Sequence, residues 1–131
     1  MLECLIVGDS IAVGTHQARP ECGVYAKGGW NSWQWNRAYL TTDLSARTVI
    51  ISLGSNDHKG VNTRQELLKM RNNIEADRVY WIMPAIKPSI QEIVEEIAHR
   101  NGDWIIKIPY LSSDGIHPTA KGYKKIGEIT K

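Results

Sequence analysis

Leu5-Ile6-Val7-Gly8-Asp9-Ser10-Ile11-Ala12-Val13-Gly14 is the stretch on which the fold turns. An apolar run ends at a glycine, and the acid and serine that follow open a second apolar run. This is how a buried strand passes into a helix. Glycine permits the sharp turn, and the serine then stands at the helix start, where unpaired amides and the positive end of the dipole favour negative charge. A serine there can act as a nucleophile beside a ready anion site, or simply as a helix cap.

The downstream segments repeat the same alternation. Leu2 to Val7 reads as the first strand, and the helix after Ser10 should end before Arg19-Pro20. Val24 to Ala26 is a short second strand closed by Lys27-Gly28-Gly29, and Asn31 to Leu40 is helical, with Asn31 and Ser32 as caps. Thr48 to Leu53 is β-branched and unalternating, as expected of a strand buried on both faces. Thr63 with Glu66, and Ser89 with Glu92, have the spacing of capping boxes ahead of two amphipathic helices. Val79 to Met83 and Trp104 to Ile108 supply strands four and five, and Gly102 suits a helix C-cap. A last helix should turn Ala120, Tyr123 and Ile126 inward.

Five strands alternating with helices predict a three-layer α/β fold around a parallel sheet. Right-handed crossovers favour the flavodoxin-like order 2-1-3-4-5. Its 131 residues are read as a single domain spanning 1–131. In such sheets ligands bind beyond the carboxyl ends of the strands, between strands 1 and 3. Ser10 follows strand 1 and Asn56 follows strand 3, on the two sides of that crevice.

Composition bounds the function. A net charge of +2 with no basic block gives no reason to expect a nucleic-acid or membrane partner, and Lys121, Lys124 and Lys125 read as the solvated face of the last helix. Phenylalanine is absent and five tryptophans take its place. Cys4 and Cys22 lack metal spacing and are too few for a disulfide framework, so they read as buried free thiols. No metal or other cofactor is called for. With no signal peptide and no transmembrane run, the sequence is read as cytoplasmic, or as exported by a route it does not encode.

Asp114-Gly115-Ile116-His117-Pro118 follows strand 5. An imidazole is the usual base for a serine hydroxyl, and it needs a carboxylate to fix its tautomer. This loop carries both, three residues apart. A backbone amide at Gly28-Gly29 and the side chain of Asn56 are candidate oxyanion donors.

Together these blocks resemble the SGNH hydrolase family, in its GDSL-type branch, over nearly the whole chain. Gly8-Asp9-Ser10-Ile11 is similar to the first block, Gly54-Ser55-Asn56-Asp57 to the Gly-x-Asn-Asp block, and Asp114 to His117 to the Asp-x-x-His block. The second block has a single glycine, for which Gly29 is preferred over Gly28. The resemblance implies Ser10 as nucleophile, His117 as general base and acid, and Asp114 as the carboxylate that orients it. The oxyanion would be held by the Ser10 and Gly29 amides and the Asn56 side chain, in a metal-free reaction through an acyl-serine. The chain is short for the family, which favours an open site for small acyl groups.

Trp30, Trp33 and Trp35 cluster after the second block. Trp30 and Trp33 are expected as neighbours on one helix face, with core packing the better account of at least one of the three. Their functional reading, with Gly28, is a substrate-binding platform on which a sugar could stack. His58 reads as a surface residue, and His16 and His99 as ordinary helix positions. The leading expectation is therefore a serine-dependent hydrolase of short acyl esters, above all O-acetyl groups on a carbohydrate. A thioesterase or lysophospholipase would use the same residues, and a non-catalytic module binding a small anion is the competitor from another class.

Overall fold

The computed structural model describes residues 1–131. Its elements run β1 (Leu2–Gly8), α1 (Ser10–Ala18), β2 (Gly23–Ala26), α2 (Ser32–Tyr39), β3 (Ser45–Ser52), α3 (Thr63–Asn72), β4 (Glu75–Met83), α4 (Pro88–Asn101), β5 (Trp104–Lys107) and α5 (Ala120–Ile129). All four strand pairings are parallel, in the order β2-β1-β3-β4-β5 expected from the sequence.

Alternation along the strands divides the core between the two faces. Leu5, Val7, Val49, Ile51, Val79 and Trp81 face one way, toward Trp35 of α2, Leu67 and Met70 of α3, and Val94 and Ile97 of α4. Cys4, Ile6, Ile50, Ile82 and Ile106 face the other way, toward Ile11 and Ala12 of α1 and Ile126 of α5. The central strands read as unbroken apolar runs because both of their faces are covered.

The sheet lines up the ends of three strands. Gly8 pairs with Ala26 on one side and Ser52 on the other. At φ +137°, Gly8 passes so close to β3 that a Cβ there would meet the Ser52 carbonyl oxygen at 1.7 Å. Only glycine fits, and this close passage delivers Ser10 to the centre of the sheet edge.

Several local expectations are corrected. β3 and β4 begin earlier than their apolar runs, since Ser45 pairs with Glu75 and Ala46 with Ala76 despite the polar sequence. The cap of α3 is Asn62, whose side chain accepts from the Gln65 amide, so Thr63 lies inside the helix and is not its cap. No capping box starts α4: Pro88 is its first residue, and Lys87 precedes it with φ 64° and no side-chain cap. The Lys87 ammonium instead donates to the Ser55 and Asp57 carbonyls, both at 2.7 Å, which anchors this left-handed residue. Ala120 is exposed; Gly122, Ile126 and Gly127 form the buried face of α5.

The cysteines also depart from expectation. Cys4 and Cys22 are joined in a disulfide, and no free thiol remains. Strand order explains it: Leu5 pairs with Gly23, so the residues just before them sit side by side on neighbouring parallel strands. No helix is long and apolar enough to cross a membrane.

Candidate active site

The loop after β5 is built to present one histidine. Its ends are tied by the Ser112 amide to the His117 carbonyl and the Thr119 amide to the Tyr110 carbonyl, both at 2.8 Å. Gly115, at φ +73°, turns the chain between them. Inside the loop, Asp114 Oδ1 accepts from the His117 amide (2.9 Å), the Ser112 hydroxyl (2.7 Å) and the Ile116 amide (2.8 Å). Oδ2 accepts from the His117 ring at Nδ1, 2.7 Å away. These donors, the His117 amide foremost, hold the Asp114 carboxyl well below the usual carboxylate range. An ionised Asp114 requires the proton on Nδ1, which leaves the lone pair of Nε2 free.

That lone pair faces Ser10. Ser10 Oγ lies 2.8 Å from His117 Nε2, across 107 residues of sequence. The cap of α1 is the preceding Asp9, whose Oδ1 accepts from the Ile11 amide at 3.1 Å, so the serine hydroxyl is free of the capping role. Asp9 is fully buried, and burial pushes its carboxyl up to about 6 against hydrogen bonds from Ser52 and Ile11 that pull it down. Its Oδ2 has no partner.

The remaining candidates are Gly28, Gly29 and Asn56. Gly28 lies against the serine: a Cβ on it would be 3.6 Å from Ser10 Cβ. Gly29 adopts φ +80° with open space where a Cβ would stand. No protein acceptor takes the amides of Ser10, Gly28 or Gly29. Asn56 donates one N–H of its side chain to the Trp30 carbonyl at 3.0 Å, which sets the plane of the amide and leaves its second N–H.

A residue to which the sequence assigns no role holds this second half together. Asp57 is buried and accepts from the Ser32 amide (2.8 Å), the Ser32 hydroxyl (2.6 Å) and the Thr63 hydroxyl (2.7 Å). One carboxylate thereby joins the start of α2, the loop after β3 and the start of α3. The signal in sequence was two hydroxyl residues at helix starts, which read as caps.

The three tryptophans separate. α2 begins only at Ser32, with Asn31 as its cap, so Trp30 lies outside the helix and does not share a face with Trp33. Trp35 is fully buried and donates its ring N–H to the Tyr25 carbonyl. The Trp30 ring packs on Tyr39, with the Lys27 ammonium 5.2 Å from its centre. Trp33 alone is largely open, at 48% exposure. The one cluster with metal-ligand geometry, Cys4, Glu21 and Cys22, has both sulfurs committed to the disulfide and its carboxylate to Arg19.

No protein-family model matches the chain, and no curated protein matches it in sequence. Solved structures do. A protein designated an acylhydrolase from Bacteroides fragilis superposes with a TM-score of 0.66 at 19% identity, over 95% of this chain and 82% of that one. The C-terminal catalytic domain of peptidoglycan O-acetyltransferase A from Streptococcus pneumoniae, solved with a methylsulfonyl adduct, gives 0.62 at 16% identity, over 97% and 89%. At these identities the likeness is one of fold.

Proposed function

We propose that this chain is a serine-dependent esterase of short-chain acyl esters, with O-acetyl groups on carbohydrates as its substrate class. The observation that carries the reading is the line of contacts from Ser10 Oγ to His117 Nε2 (2.8 Å) and from His117 Nδ1 to Asp114 Oδ2 (2.7 Å). A small-anion-binding module has no use for a nucleophile, base and orienting carboxylate in register.

In this reading His117 Nε2 takes the hydroxyl proton as Ser10 Oγ bonds to the ester carbonyl carbon. The carbonyl oxygen becomes an oxyanion, held by the Ser10 and Gly29 amides and the second N–H of Asn56. Asp114 stabilises the imidazolium. Collapse breaks the bond to the alcohol, which leaves with the proton from His117. Water then repeats the sequence on the acyl-serine and frees the acid. The His117 and Asp114 side chains are 37% and 47% exposed, so water reaches the acyl-enzyme readily. The activities named for the two similar structures, acyl hydrolysis and O-acetyl transfer, accord with an acyl-serine intermediate.

The test is Ser10→Ala with a fluorophosphonate label. The wild-type chain should be labelled and should hydrolyse p-nitrophenyl acetate. The variant should take no label and lose ~10⁴-fold or more in kcat while keeping its fold. A variant that retains most of the turnover would end the proposal.

A further inference from the structure

We infer that the cavity between the start of α2 and the loop after β3 is a saccharide subsite, in which Trp33 stacks against a sugar ring. This rests on the esterase reading and specifies the alcohol half of its ester. The cavity measures about 330 Å³, within the range of small-molecule sites, and is lined by Asn31, Trp33, Gln34, His58, Gly60 and Val61.

A pyranose offers a flat C–H face to an aromatic ring and a rim of hydroxyl oxygens to polar groups held in fixed planes. Both are present. The Arg37 guanidinium sits 4.7 Å from the centre of the Trp33 ring and steadies it, while the side chain stays open to solvent. Three polar side chains line the same space, and each has one atom committed. Asn31 Oδ1 accepts from the Gln34 amide and Gln34 Oε1 from the Asn31 amide, both at 2.9 Å. His58 Nδ1 accepts from the Gly60 amide at 3.1 Å. These bonds orient the two amides and the imidazole and leave Asn31 Nδ2, Gln34 Nε2 and, in the neutral ring, the His58 Nε2–H as donors without a protein partner. Asn31 is about nine-tenths buried as a residue, while its spare Nδ2 donor stays accessible from the cavity side.

The position is right for the ester. Asn31 lies two residues past Gly29, and His58 two residues past Asn56. The two loops are joined between those points by the bond from Asn56 to the Trp30 carbonyl. A sugar seated on Trp33 therefore borders the proposed oxyanion donors, whereas an aryl acetate leaves the cavity empty.

The experiment has two arms. In the first, Ser10→Ala protein is titrated with xylohexaose, cellohexaose and chitohexaose while the indole N–H resonance of Trp33, assigned with Trp33→Phe, is followed by NMR. At least one glycan should shift it saturably, and Trp33→Ala should weaken that binding about tenfold. In the second, Trp33→Ala should lower the ratio of kcat/KM on acetylated xylo-oligosaccharide to that on p-nitrophenyl acetate by about tenfold. No shift from any of the three glycans at millimolar concentration overturns the subsite, and so does an unchanged ratio. Failure of the wild-type chain to hydrolyse any ester instead ends the esterase reading, and the binding arm still decides the subsite.

Discussion

The Ser52 hydroxyl donates to Asp9 Oδ1 at 3.0 Å, tying the end of β3 to the acid beneath Ser10. The Asp9 amide returns the tie by donating to the Ser52 carbonyl at 2.9 Å. A fully buried carboxyl with one oxygen unpartnered thus sits at the turn that presents the serine.

This arrangement sets a pH dependence of stability. Asp9 is raised to about 6 by burial, whereas in an unfolded chain an aspartate titrates near ~3.9. Below pH ~4 both states hold the proton, and the group's contribution is fully present. Between those values the unfolded chain ionises first, and as pH rises through about 6 the folded protein must carry a buried anion. The contribution lost is about 3 kcal/mol. In urea melts, the stability of Asp9→Asn relative to wild type should therefore improve by about that amount from pH 4 to pH 8. A difference that stays flat over this range would show that Asp9 titrates normally.

In the esterase reading, Asp57 would act on catalysis through the residues it joins. Asp57→Ala frees Ser32 and Thr63 and lets the loops bearing Gly29 and Asn56 move apart, so kcat on p-nitrophenyl acetate should fall ~10²-fold with little change in KM. Asp57→Asn, which can still accept from the Ser32 amide, should recover part of the loss. A rise in KM at unchanged kcat would place Asp57 in substrate binding instead.

Acyl length provides an independent check. A cavity of about 470 Å³ lies at the ends of β4 and β5, with an apolar side of Met83, Pro84, Ile105, Ile108 and Leu111 and a polar one of Gln91, Glu95 and Lys107. Leu111 is bridged to Pro118, the neighbour of His117. Short loops and an exposed His117 argue that the acyl group stays outside it, so kcat/KM on p-nitrophenyl esters should peak at acetate or butyrate and fall by octanoate. An optimum at octanoate would put the chain in that cavity, where each buried methylene contributes about 0.8 kcal/mol, and would favour a thioesterase or lysophospholipase.

Reduction should cost stability. The disulfide closes a loop with a sequence separation of 18, and opening it should lower unfolding stability by about 3 kcal/mol. Urea melts with and without dithiothreitol measure this. Coincident curves would mean that the bond does not constrain the unfolded chain.

The sheet order was legible because Thr48 to Leu53 and its neighbours are buried on both faces, which leaves an unbroken apolar signature. Ser10, Asn56 and His117 were legible as candidates because each lies in the segment that follows a strand, and such segments meet at one edge of the sheet. Lys87, Asp57 and the disulfide were not. Lys87 starts a helix through tertiary bonds to the Ser55 and Asp57 carbonyls, which leave no mark in local sequence. Asp57 draws its partners from two other elements, so no spacing encodes it. The cysteine pairing is implicit in the strand order, which sets strands 1 and 2 side by side, but it is the register of that pair, not the number of cysteines, that brings Cys4 opposite Cys22.

The disulfide also has a mechanical meaning. β2 is an edge strand of four residues, paired only with β1, and the turn beyond its far end sets Gly28 against Ser10. Cys4 and Cys22 clamp the opposite end of that pair, like the rivet of a pair of tongs whose tips are Ser10 and Gly28. A slip of one residue along the ladder would carry the tips apart by about 3.3 Å and turn every β2 side chain to the wrong face. The covalent link removes that freedom from a short edge strand. A disulfide of this kind persists where thiols are oxidised, so this clamp on β2 would hold in an oxidising compartment and open in a reducing one.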